Sequence, residues 1–86
     1  MLYLLGDKIT GLQGLKYAQM DGEAIVVLIK DGVYLDIAPI QDKKIFAMGD
    51  DVKKRGMEDR LKGQAEIIGY KQLVDLVLEN KVANFA

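Results

Sequence analysis

The chain has 86 residues, 50% of them hydrophobic, with twelve Lys and Arg against thirteen Asp and Glu for a net charge of −1. That length supports one small domain with a single core, and its apolar surplus suits a chain that covers part of its surface with another subunit. With no Cys, His, Ser or Trp, and Thr10 as the one aliphatic hydroxyl, the chain lacks the donors of a usual zinc site, the pairs of nucleophilic catalysis and a persulfide carrier.

No basic stripe runs along the sequence, so direct nucleic-acid binding is not expected. No apolar run reaches the ~20 residues of a membrane span. Met1–Leu5 is too short for a signal peptide and lacks its basic start, so the expected location is the cytoplasm.

Leu2–Leu5 reads as a short apolar strand. Gly6–Gly11 follows with the outline of a phosphate loop, but Leu12 and Gln13 stand where such a loop needs Lys and Ser or Thr. Thr10 with Gln13 instead fits a capping box at the start of a helix running to about Met20, with Leu12 and Leu15 inward and Gly14 weakening it. Ala24–Ile29 is an unbroken apolar run rich in β-branched residues, the pattern of a strand buried on both faces of a parallel sheet. Lys30, Asp31 and Gly32 end it, and a short helix of about two turns follows before Pro39, with Asp31 placed to cap it.

A third strand, Ile45–Met48, leads into a helix with Asp50 as N-cap, Lys53, Lys54 and Arg55 at its negative end and Gly56 as terminator. Met57–Lys62 is open between a half-turn and an irregular loop. Ala65–Ile68 is a shorter fourth strand near an edge, because it carries Glu66. The helix from Tyr70 to about Asn80 has Leu73, Val74, Leu76 and Val77 on one apolar face. Val82–Ala86 is left as an apolar tail whose Phe85 either packs back on the domain or meets a partner.

Strands alternating with helices predict a three-layer α/β/α fold around a mainly parallel four-stranded sheet, with residues 1–86 as a single domain. On that topology Asp7, Asp31, Asp50 and Asp51 all follow strand ends at one edge of the sheet. They fit helix capping, and they also fit an acidic Mg²⁺ or phosphoryl site or a small-ligand site at the Asp31 edge. No resident cofactor and no metal is expected.

Three segments together resemble one family. These are Val26–Tyr34, an apolar strand ending in Asp-Gly-Val; Lys44–Gly56, a strand followed by acidic residues and then Arg-Gly; and Ile67–Val77, which opens the last helix with Tyr70. In order and spacing they are similar to the signatures of the DsrH/TusB sulfur-relay subunits, over roughly the last two-thirds of the chain. The resemblance implies a DsrEFH-like fold and assembly with DsrE/TusD-like and DsrF/TusC-like subunits, the alternative being self-association. It also implies passage of persulfide sulfur, toward 2-thiouridine at the tRNA wobble position in one branch and in sulfur oxidation in another. Without a cysteine, the implied role is noncatalytic. Asp31, Gly32, Val33 and Tyr34 are then the first candidates for partner contact, followed by Arg55, Gly56 and Phe85.

Overall fold

The computed structural model describes residues 1–86. Its centre is a parallel sheet in the order β4-β3-β2-β1-β5, with β1 Leu2–Leu5, β2 Ile25–Leu28, β3 Lys44–Met48, β4 Glu66–Ile68 and β5 Val82–Phe85. The apolar run around Ala24–Ile29 occupies the middle position, flanked by β1 and β3. Helix α1 (Thr10–Met20) joins β1 to β2. Two 3₁₀ helices, Lys30–Tyr34 and Ala38–Ile40, join β2 to β3. Helices α2 (Gly49–Lys54) and α3 (Glu58–Leu61) lead to β4, and α4 (Tyr70–Glu79) returns the chain to β5. No helix is long and apolar enough to cross a membrane.

The layering follows from handedness. Strands β1 to β4 step in one direction, so right-handed crossovers place every connection between them on one face. The return from β4 to β5 runs the other way and must cross the opposite face, which α4 covers alone. Side chains divide accordingly with the period of two: Tyr3, Leu5, Val26, Leu28, Ile45 and Ala47 join the larger core, while Leu2, Val27, Phe46, Met48 and Ile68 form the smaller one against Leu73 and Leu76.

The sheet has five strands rather than four, because Val82–Phe85 is a strand and not a tail. Lys81 O accepts from Leu2 N at 2.8 Å and Phe85 O from Gly6 N at 3.1 Å, which zips the segment onto β1. Local pattern could not reveal this, since the partner strand lies at the other end of the chain.

Four helix expectations are corrected. The cap of α1 is Asp7, whose Oδ2 accepts from the backbone of Ile9 and Thr10 at 3.0 Å each, in place of a Thr10–Gln13 box. The hydroxyl of Thr10 lies 3.2 Å from both Asp7 Oδ2 and Phe85 O, with one proton to share between two acceptors. Leu12 points outward, and the inner face of α1 is Gly11, Gly14, Leu15 and Ala18. Asp50 lies inside the first turn of α2 and not at its cap, whereas Gly56, at φ 65, does supply the left-handed residue after the helix. A reaching-back side chain is found instead at α4, where Gln72 Oε1 accepts from Gly69 N at 2.7 Å. Of the four apolar residues expected on the inner face of α4, Leu73 and Leu76 pack on the sheet while Val74 and Val77 remain at the surface.

Gly14 lets α1 approach the sheet. A Cβ there would lie 2.5 Å from Leu5 Cδ2 and 2.7 Å from the Phe85 ring. Gly14→Ala gains roughly 1 kcal/mol of helix propensity but overpacks a buried contact, a cost of about 1–3 kcal/mol. Urea denaturation should therefore show net destabilisation of about 1 kcal/mol.

Asp21, just beyond α1, accepts from Tyr3 Oη at 3.0 Å, from the Glu23 amide at 2.9 Å and from the N-terminal ammonium at 3.3 Å. The Glu23 amide, then the Tyr3 hydroxyl, hold its carboxyl below the usual range, and backbone donation from Thr10 and Ile9 does the same for Asp7. A depressed folded-state pKa stabilises the protein above the unfolded value of about 3.9, and this stabilisation is lost as pH falls through the folded pKa. Thermal melts between pH 7 and pH 2.5 should show this acid-side loss, and Asp21→Asn should flatten it.

Candidate functional site

At the carboxyl edge of the sheet the ends of β1, β2 and β3 lie side by side, and each loop contributes a charged or aromatic side chain. The β2 strand does not run into an ordinary helix there. Lys30 takes φ 48, in the left-handed region, and the chain folds into the 3₁₀ helix Lys30–Tyr34. This turn brings Gly32 against the carbonyl of Leu5 on the neighbouring strand. It sends Val33 into the core, at 0% exposure, and leaves Asp31 and Tyr34 at the surface.

Arg55, at the end of α2, ties this turn to the next one. Its Nε donates to Asp31 Oδ1 at 3.0 Å and its Nη1 to Asp51 Oδ1 at 3.2 Å. The hydrogen bond to Asp31 comes first among the causes that push the guanidinium pKa up, so it stays cationic. Asp31 itself is 52% exposed, which leaves much of the pair in water. Beside it, Lys8 Nζ from the β1 loop sits 4.9 Å from the centre of the Tyr34 ring, and Arg60 Nη1 donates to Tyr34 O at 3.3 Å.

Asp31, Tyr34 and Arg55 thus come together at the surface, Asp31 exposed and the other two partly covered, with charges of both signs around one aromatic ring. Gly56 adjoins it as the turn after Arg55. Two of the expected contact residues are corrected by burial: Gly32 and Val33 shape the turn from inside and have no surface to offer a partner. Phe85 sits apart on β5, half-buried beneath α1 with its ring stacked on Tyr17 at 6.0 Å. Asp51 joins the patch from among the acidic residues expected at this edge, while Lys8 and Arg60 belong to it and were not anticipated. The one sequence signal for Lys8 is its place in the first strand-to-helix loop.

The carboxylates do not form an open oxygen cage. Asp31 and Asp51 share Arg55 and Asp7 is occupied by its own loop, and no three acidic side chains converge where they could hold a metal ion. Nor do the surface concavities open at Asp31. One, of about 230 Å³, lies between α4 and β3–β4 with Glu66, Asp75 and Glu79 at its rim; the other, of about 360 Å³, is formed by Gln13, Lys16, Tyr17 and Met20 of α1.

The family model described as "DsrH like protein" matches residues 13–83, from within α1 to the start of β5. The chain belongs to the DsrH family. That match takes in the Asp31–Arg55 turn, α2, α4 and most of the sheet, and it places the chain among the subunits of sulfur relays. No curated protein matches the sequence.

Proposed function

We propose that this chain works in its sulfur relay as a docking subunit that carries no sulfur, beside a DsrE/TusD-like or DsrF/TusC-like partner that supplies the reactive cysteine. The observation behind this reading is chemical. A persulfide needs a thiolate to form on and to leave from, and the chain has no Cys and no His. The contact patch is Asp31, Tyr34 and Arg55 with Lys8 beside them, where paired charges and a half-covered aromatic suit recognition of a specific partner. Relay toward 2-thiouridine at the tRNA wobble position is the pathway we propose, with tRNA engaged by the partner, since a net charge of −1 offers no backbone-tracking face here.

Co-purification with the cysteine-bearing partner, followed by exposure to a labelled persulfide donor, tests this. The expected result is a stable complex with the label on the partner alone, and a loss of wobble 2-thiouridine, read by nucleoside mass spectrometry, in cells lacking the chain. A partner that transfers sulfur at full rate without this chain overturns the proposal.

A further inference from the structure

The two edges of the sheet are not alike. Strand β4 has three residues and turns Glu66 to solvent, which is how edges are kept from pairing. Strand β5 carries no charge and no proline from Val82 to Phe85. Lys81 O and Phe85 O face β1, so in the alternation of a parallel ladder Ala83 faces β1 as well. The N–H and C=O of Val82 and Asn84 therefore point away from the sheet. Side chains rim that edge on one face: Tyr17, 56% exposed and stacked on Phe85, and Met20, 76% exposed, both from α1.

We infer that β5 is a self-pairing edge, and that its occupant is β5 of a second copy, antiparallel about a two-fold axis through Ala83. This goes beyond the relay reading and does not depend on it. The register is selected by the edge itself. With Ala83 opposite Ala83 of the copy, Val82 and Asn84 of one chain meet Asn84 and Val82 of the other, and every outward backbone group of these residues finds a partner in two reciprocal pairs of hydrogen bonds. The closely spaced central pair then consists of two alanines, the size that the spacing accepts. The helices agree with this arrangement. Gly14 sits above both Leu5 and Phe85, which are register partners, so α1 runs over the β1–β5 pair. Continuing the sheet through the two-fold at a strand spacing of about 4.8 Å sets the two α1 axes about 10 Å apart. That is the ordinary distance of packed helices, and it brings Gln13 and Tyr17 of each into contact.

Sedimentation across a concentration series, with amide exchange at Val82 and Asn84, tests the inference. The expected result is a reversible dimer in which both amides are protected as concentration rises. Asn84→Pro removes an outward donor and leaves β1 pairing intact; it should stay folded by circular dichroism and dissociate at least about tenfold more readily. Because the chain has no native cysteine, Ala83→Cys should oxidise to a covalent dimer, the close-pair spacing being within disulfide range. A chain that is monomeric at every concentration, a dimer whose Val82 and Asn84 amides exchange freely, or protection that arises only when a different protein is added would each overturn it.

Discussion

Gly32→Ala should remove a large part of the stability of the domain. A Cβ at this position would overlap the carbonyl oxygen of Leu5 and lie 2.5 Å from its carbon. Neither atom can retreat. The oxygen accepts from Ile29 N at 3.0 Å, and the strand that carries it is held by β2 on one side and β5 on the other. Relief must come from moving the 3₁₀ turn outward, which draws Val33 from the core and breaks the 2.8 Å bond from Gly32 N to Ile29 O. Overpacking by one methyl ordinarily costs about 1–3 kcal/mol where side chains can shift, and a rigid backbone obstacle puts this change at or above about 3 kcal/mol. A chain of this length has roughly 4–13 kcal/mol in total. Urea denaturation should show the midpoint collapse, while Gly22→Ala, with nothing within 4 Å of the added carbon, should be neutral or stabilise by up to about 1 kcal/mol. Equal effects from the two changes would mean that the Gly32 approach is not what holds the turn.

The contrast between β2 and β5 shows what local pattern can and cannot carry. β2 is apolar on both sides because both faces of a central parallel strand are covered, so its six-residue apolar stretch from Ala24 to Ile29 reads as a strand from composition alone. β5 is covered on one face only. Ala83 and Phe85 pack under α1 while Val82 and Asn84 face outward, and a four-residue alternation that includes Asn resembles a chain end. Its identity as a strand rests on hydrogen bonds to β1, about eighty residues earlier. The same limit applies to the site. Asp31 and Arg55 were each visible as residues of interest, but their 3.0 Å contact joins two loops across the sheet edge. Gly32 was legible as a turn residue; that it serves a close backbone approach and not a left-handed φ required the position of Leu5. Capping was the least legible of all, because Asp7, Thr10 and Gln13 are all competent caps, and the loop geometry chose Asp7.

Arg55→Ala should separate the proposed docking role of the edge from its structural role. The guanidinium bridges Asp31 and Asp51, and because Asp31 is half in water its pair contributes in the range of surface pairs, about 0.2–1 kcal/mol. Thermal denaturation should therefore move little. Binding to the cysteine-bearing partner should fall much further. Removing Arg55 leaves the Asp31 and Asp51 carboxylates without their cation, and at the centre of an interface two such groups must be desolvated unpaired. Truncation of a central arginine typically costs about 2 kcal/mol or more in binding, close to a thirtyfold loss of affinity. Tyr34→Ala should weaken binding as well, since Lys8 covers its ring at the patch, but this ring also packs against the larger core, so the variant should lose stability too. Asp31→Ala combined with Arg55→Ala supplies the decisive comparison. If the arginine acts by neutralising Asp31 at the interface, the double variant binds better than Arg55→Ala alone, because the stranded carboxylate is gone. Calorimetric titration of the partner with all four chains measures this, and a loss of affinity that tracks the loss of stability in every variant would assign Arg55 to the fold and not to the interface.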